Sequence, residues 1–323
     1  MQLSIIIPIY KVEKYIEGTL NSIFNQKVNS DKYEVIVIND GTPDDSMAIV
    51  NKFTTLYSNL HIINQKNQGL SCARNAGLTI ANGDYIWFVD SDDQLSDGSI
   101  EQVIQCTTET VADIIGFDMI RVDESTGNED IQQVVIKGKA IYNKPCICYD
   151  LVGKVHNAPV QRFIFRHSFL AEYKIIFYPH IIHEDQEFNT RAFFLAKKII
   201  MVPITPYRYL LRTSGSIMAT LNMHSIESRM ITIDSFLHFK AKHAHNAKEN
   251  RYIDNDIFFV VCSILSTSIE GNAYYDYIRK YYNYYRSLAW QGFKANLASL
   301  RIKRAIKALC ICIHPLLYRE LFK

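Results

Sequence analysis

"YIWFVDSDD" occupies residues 85–93. Five mostly apolar residues lead straight into three carboxylates within four positions. An apolar run this short, without in–out alternation, reads as a strand buried on both faces. The sudden charge marks the point where that strand leaves the core. Two carboxylates about 4 Å apart repel by about 4 kcal/mol at an effective dielectric of about 20. Such a cluster stays ionised at neutral pH when it is solvated or when it faces a cation.

The same design repeats on either side. "LSIIIPIY" (3–10), "YEVIVIN" (33–39) and "LHIIN" (60–64) are further apolar, β-branched runs. Between them lie helical patterns. "VEKYIEGTLNSIF" (12–24) spaces Ile16, Leu20, Ile23 and Phe24 along one face, and "DDSMAIVNKFTTLY" (44–57) opens on acidic residues. "LSCARNAGLTIA" (70–81) is stopped by Asn82-Gly83. Buried strands alternating with helices predict an α/β fold with a mostly parallel central sheet flanked by helices. Downstream, "ADIIGFDMI" (112–120) and "KIIMVP" (198–203) read as more strands, and "VDESTGNED" (122–130) as a polar hairpin tip. From about Ser225 the pattern is helical to the end, through a tyrosine-rich stretch at 273–290. A boundary is expected near residue 220, with a helical C-terminal region over 221–323.

In open α/β sheets, ligands bind beyond the carboxyl ends of the strands. Those ends carry Pro8, Ile9 and Tyr10, then Asn39, Asp40 and Gly41, then Asp90, Ser91, Asp92 and Asp93. Parallel strands bring all three sets to one edge. Asp-x-Asp at such an edge suits a hard divalent cation, Mg²⁺ or Mn²⁺, that also takes phosphate oxygens. A solvated acidic turn is the plainer alternative. The chain has neither G-x-x-x-x-G-K-[ST] nor G-x-G-x-x-G, so neither a P-loop nor a dinucleotide fingerprint is present.

With 323 residues, 48% of them hydrophobic, the chain suits one large or two modest domains. Its formal charge of +2 gives no reason to expect a nucleic-acid partner. The balance is uneven, because Lys280 to Lys323 hold nine Lys or Arg against one Glu. The N-terminus lacks a basic n-region and a small-residue cleavage site, so a cytoplasmic location is expected. The apolar run at 257–269 is shorter than the roughly 18–20 residues that span a bilayer. Seven cysteines, with C-x-C rather than paired C-x-x-C spacing, read as reduced thiols rather than a zinc site.

The chain resembles a family 2 glycosyltransferase of the GT-A fold. The matching segments, in order, are "SIIIPIY" (4–10), "EVIVINDGTPDDS" (34–46), "NQGLSCARNAGLTIANGDYIWFVDSDD" (67–93) and "HEDQEF" (183–188). The resemblance implies an inverting transfer from a nucleotide sugar. It also implies a catalytic domain over 1–220, with a donor-binding half at 1–100 and an acceptor-binding half at 101–220. Pro8, Tyr10 and Asp40 would form the base pocket, and a carboxylate such as Asp40 suits a uracil N3–H donor. Asn39 stands where the family often has Asp. Arg74 would lie near the diphosphate, Asp90 and Ser91 against the nucleotide sugar, and Asp92 with Asp90 on the metal, with Asp93 in support. Asp185 would be the general base and Glu184 would orient the acceptor. His183 is read as structural more readily than as a ligand. Arg208 and Arg212 would reach the leaving diphosphate, and 213–215 could act as a closing loop.

The implied partners are a UDP-sugar donor and a glycan or lipid-linked glycan acceptor. The tail, 297–323, places Ile302, Ile306, Leu309, Cys310 and Ile313 on one helical face, flanked by Arg301, Lys303, Arg304 and Lys307. That pattern suits peripheral contact with the inner face of the cell membrane, or packing against the catalytic domain. Two other readings remain at this level. One is a sugar nucleotidyltransferase, which would leave "HED" unexplained; the other is a binding module without activity.

Overall fold

The computed structural model describes residues 1–133, 135–136, 139–151, 158–213, 223–267, 276, 279–298 and 301–313. The rest of the expected closing loop (214–215) and the last part of the tail (314–323) lie outside the described residues. The chain divides into two compact units. One is Met1–His180 with Glu184–Ile217, and the other is Ile181–His183 with Met218–Lys323.

The first unit is built on a mixed sheet. Its strands are β1 (Leu3–Ile9), β2 (Tyr33–Asn39), β3 (Leu60–Asn64), β4 (Tyr85–Phe88), β5 (Gln94–Leu95), β6 (Ile114–Asp123) and β7 (Glu129–Gln132). After a two-stranded hairpin of β8 (Val135–Ile136) and β9 (Lys139–Ala140) come β10 (Phe163–Arg166) and β11 (Ile199–Leu211). The sheet order is β3-β2-β1-β4-β10-β6-β11-β5, with β7 on β6. β3, β2, β1 and β4 run parallel, as the apolar runs predict. Beyond β4 the sheet becomes mixed: β10 enters antiparallel between β4 and β6, while β11 returns parallel to β6. The polar segment 122–130 is the β6–β7 turn.

Both faces of the sheet are covered. On one face the helix Leu70–Ile80 lies against β1 and β2. A Cβ at Gly77 would stand 2.5 Å from Ile6 and 2.8 Å from Ile38, so only glycine permits this approach. On the same face, where Phe88 stands beside Ile6, Phe177 stacks on Phe188 at 4.1 Å and meets Phe88 edge-on at 5.0 Å, while the opposite face buries Ile5, Ile7, Val35 and Trp87 in one cluster with Ile16, Leu20, Val50 and Val103. The phenylalanines seat the helix Glu184–Leu195, whose Phe188 and Phe193 are buried, beneath the sheet.

From Met223 on, the described residues of the second unit include the helices Met223–His243, Ala247–Thr267, Tyr282–Ala298 and Ile302–Ile313. Gly292 lets the third of these approach the second, since a Cβ there would lie 2.7 Å from Phe258. No described helix is long and apolar enough to cross a membrane.

Candidate active site

Three loops leave the sheet at the carboxyl ends of β1, β2 and β4. After β1, Pro8 is buried within the strand and Tyr10 is exposed, with the Lys11 ammonium 5.3 Å from its ring centre. After β2, Asp40 is buried and fully engaged. One of its oxygens accepts from Gln65 Nε2 (2.7 Å) and the Gln68 N–H (2.9 Å), and the other from the Gly69 N–H (2.9 Å). Asp40 therefore shapes the loop that opens the helix Leu70–Ile80. Asn39 bonds across to Asn64 (2.9 Å).

The Asp90–Asp93 segment splits into three environments. Asp93 is 1% exposed and joins β4 to β11: it accepts from the Tyr207 hydroxyl (2.6 Å) and the Leu210 N–H (2.7 Å). Burial, followed by repulsion from Asp92 and Asp90, pushes its carboxyl well above the usual carboxylate range. Ser91 is buried, and its carbonyl accepts from Thr19 Oγ1 (2.9 Å). Asp92 pairs with Arg212 Nε at 2.9 Å. Burial and the neighbouring Asp90 raise the Asp92 carboxyl to about 6, against the pull of Arg212. Arg212 also lies over the Tyr15 ring (5.4 Å). The Tyr15 hydroxyl donates to Glu124 (3.0 Å), which also accepts from the Thr213 N–H (2.7 Å).

Arg74 is the centre of the site. It is 1% exposed, rests over Phe177 (5.1 Å), and reaches three carboxylates from two parts of the chain. Its Nη1 donates to Glu184 (2.7 Å) and Asp185 (2.9 Å), and its Nη2 to Asp90 (2.9 Å). Both of its terminal nitrogens are engaged with protein carboxylates, 16 to 111 residues distant along the chain.

The second oxygen of Asp185 accepts from the Val160 N–H (3.1 Å), and the second of Asp90 from Gln161 Nε2. That turn is itself fixed, because the Gln161 carbonyl accepts from the Trp87 indole (2.9 Å) and the Ala158 carbonyl from Asn189 (2.8 Å). One cation among three carboxylates leaves an excess of negative charge. Burial and the adjacent Asp185 lift Glu184 to about 7, even with Arg74 beside it, and burial raises Asp185 as well. Both acids open the helix Glu184–Leu195, the end that favours anions.

Two residues near the motif take structural partners. Arg208 forms an ion pair with Glu129 of β7. His183 has a left-handed backbone (φ 67°), lies 3.5 Å from Ser225 Oγ, and is driven down to about 4 by burial and Arg229, so it is neutral at pH 7.

The chemistry of the acidic rim suits a hard cation. One oxygen from each of Asp90, Asp92 and Asp93 lies within 4.8 Å of the others, all of them hard ligands of the kind Mg²⁺ or Mn²⁺ takes. Asp93 is the least available, being enclosed by β11. Asp90 and Asp92, with side chains 25% and 19% exposed, are the pair that fits an ion shared with solvent or phosphate.

Sequence reading missed Val160, Gln161 and Tyr207. The first acts through its backbone and the second is a neutral amide with no motif around it. Tyr207 sits in an apolar strand, where nothing marks its hydroxyl.

Comparison with known proteins places this arrangement. The sequence model of glycosyl transferase family 2 matches residues 4–171, more than half of the chain. The "uncharacterized glycosyltransferase EpsJ" of Bacillus subtilis is 30% identical over 64% of this chain and 60% of its own length. The poly(ribitol-phosphate) beta-glucosyltransferase of Bacillus spizizenii is 32% identical over 68% of this chain and 34% of its own. The match thus spans less than two thirds of either relative. Residues 1–349 of S. aureus TarS, solved in complex with UDP-GlcNAc, share the fold with a TM-score of 0.75 at 19% identity, covering 99% of this chain and 91% of that one. The chain belongs to glycosyl transferase family 2, a family of glycosyltransferases built on the GT-A fold.

Proposed function

We propose that the chain is an inverting glycosyltransferase that moves a sugar from a UDP-sugar to a hydroxyl of a glycan or lipid-linked glycan. The observation that carries this reading is the Arg74 fork, which gathers Asp185 and Glu184 beside Asp90 at the end of β4. A base for the acceptor and an acidic rim for the donor thereby share one constellation. Relatives named as minor teichoic acid biosynthesis proteins and as a poly(ribitol-phosphate) beta-glucosyltransferase support a role in cell-surface polymer assembly. The cytoplasm would supply the donor, and the acceptor would be met at the inner face of the cell membrane. Residues 1–100 form the donor half and 101–220 the acceptor half.

In this mechanism Asp185 takes the proton of the acceptor hydroxyl. The freed oxygen bonds to the anomeric carbon as the bond to the diphosphate breaks, and the electron pair leaves with UDP. A single displacement inverts the centre. Arg74 and the Val160 N–H each hold one oxygen of Asp185, so the carboxylate is oriented before substrate arrives. Glu184, near its midpoint at neutral pH, keeps a proton inside the cluster and relieves its charge. Tyr10 offers an exposed ring to the base, while Pro8, Asp40 and Ser91 shape the floor. Arg212 is placed to exchange Asp92 for a phosphate. Asp92 with Asp90 would hold Mn²⁺ or Mg²⁺, which would offset charge on the leaving diphosphate.

A screen of nucleotide sugars with Mn²⁺, reading UDP release with and without glycan acceptors, tests this proposal. Asp185→Asn should lower transfer by about 10³-fold, within the range of general-base catalysis, while calorimetry shows UDP still binding. Wild-type turnover in that variant, or release of pyrophosphate in place of UDP, would overturn the assignment.

A further inference from the structure

The helix Ile302–Ile313 turns its apolar residues in two directions. Ala305, Ala308 and Ile311 are buried within the second unit. Ile302, Ile306, Leu309 and Ile313 are exposed, at 53%, 48%, 39% and 61%. Their spacing of four, three and four residues makes one continuous stripe. This corrects part of the sequence reading, which put Cys310 on that face: Cys310 is buried.

The neighbouring helix Tyr282–Ala298 adds to the surface. Its Arg286 donates to the Cys312 carbonyl (2.8 Å), so that side borders the last helix. Trp290, Phe293 and Leu297 recur from Arg286 at helical spacing, on the same side. Trp290 and Leu297 are 46% and 47% exposed, and Lys294 caps the indole at 5.5 Å. From Lys280 to Ile313 the chain has seven Lys or Arg and no Asp or Glu. Exposed aliphatic stripe, interfacial tryptophan and uniform positive charge recur together in helices that lie in a bilayer surface. A second copy of this chain fits less well, because a two-fold interface would set the same basic face against itself.

We propose that this surface docks on an anionic lipid bilayer, with Ile302, Ile306, Leu309 and Ile313 entering the acyl boundary and Lys303 and Lys307 meeting phosphate headgroups. The contact is independent of the catalytic reading, since no residue of the Arg74 constellation takes part.

Co-sedimentation of the full chain with vesicles containing phosphatidylglycerol, against vesicles of phosphatidylcholine alone, tests it. Binding is expected only to the anionic vesicles, with a decline as salt is raised. Ile306→Glu with Leu309→Glu should reduce binding about tenfold or more, and Lys303→Glu with Lys307→Glu should do so at low salt. Circular dichroism melts and UDP release on a soluble acceptor, both unchanged, confirm folded variants. Absence of binding by the native chain overturns the proposal, as does binding that both variants retain. So does a dimer, seen by light scattering, that the Ile306/Leu309 variant breaks while the native chain ignores vesicles.

Discussion

Two arginines meet carboxylates at the same sheet rim, and they are held in opposite ways. Arg74 is 1% exposed, is clamped by three acids and rests on Phe177, within a packed layer of phenylalanines. Arg212 keeps a 17% exposed side chain, meets Asp92 and lies across Tyr15 at the end of β11. The first pair set is architecture: removing it leaves charges with nowhere to go. The second is a single pair nearer the surface, its side chains 17% and 19% exposed. In the proposed mechanism the first holds the base and the second exchanges Asp92 for a donor phosphate.

That contrast can be broken by substitution. Arg74→Ala should cost about 3–5 kcal/mol, as expected when one partner of a buried ionic cluster is removed, and should abolish transfer. Denaturant melts read the first effect and UDP release the second. Tyr207→Phe removes the hydroxyl shared by Asp93 and the Asp90 N–H, for about 1–3 kcal/mol in the same melts, with Asp185 untouched. Arg212→Ala should cost less than Arg74→Ala, because it leaves one carboxylate without its cation rather than three, yet should raise KM for the donor. Equal stability losses in the Arg74 and Arg212 variants would erase the distinction.

A pH series sharpens the same comparison. If Asp185 is the base, as proposed, it must be ionised to act; burial raises its carboxyl above the usual carboxylate range, and burial with the adjacent Asp185 raises Glu184 from the usual 4.5 to about 7. Activity should therefore keep climbing as pH rises above the range in which an ordinary aspartate ionises. Stability should move the other way. Between pH 4.5 and about 7 the folded chain binds more protons at Glu184 than the unfolded chain does, so unfolding free energy falls as pH rises. Melts at several pH values check the sign. Arg74→Lys, which loses the fork, should shift the activity limb upward.

Much of this was legible in the sequence. Uninterrupted apolar runs located β1, β2 and β4 and hence the rim, because residues buried on both faces leave no alternation to misread; the half-exposed edge strand β3 was marked by its short apolar run alone. β10 escaped: "FIFR" is only four residues long, and its place between β4 and β6 rests on pairings with Trp87 and Ile115, distant in the chain. The motif residues stand at the rim, but their partners did not show. Nothing local tells that Arg74 will find Glu184 110 residues away, or that Gln161 will hold Asp90. Motifs mark where charge must be; long-range packing decides which charges neutralise one another.

Gly77 lies one helical turn beyond Arg74, pressed on Ile6 and Ile38 with no room for even one more carbon. A methyl group there would lever the helix away from the sheet and draw the guanidinium with it. A change in a hydrocarbon contact would then be felt as a change in proton affinity at Glu184, so the enzyme's acidity is set in part by how closely one backbone can approach another.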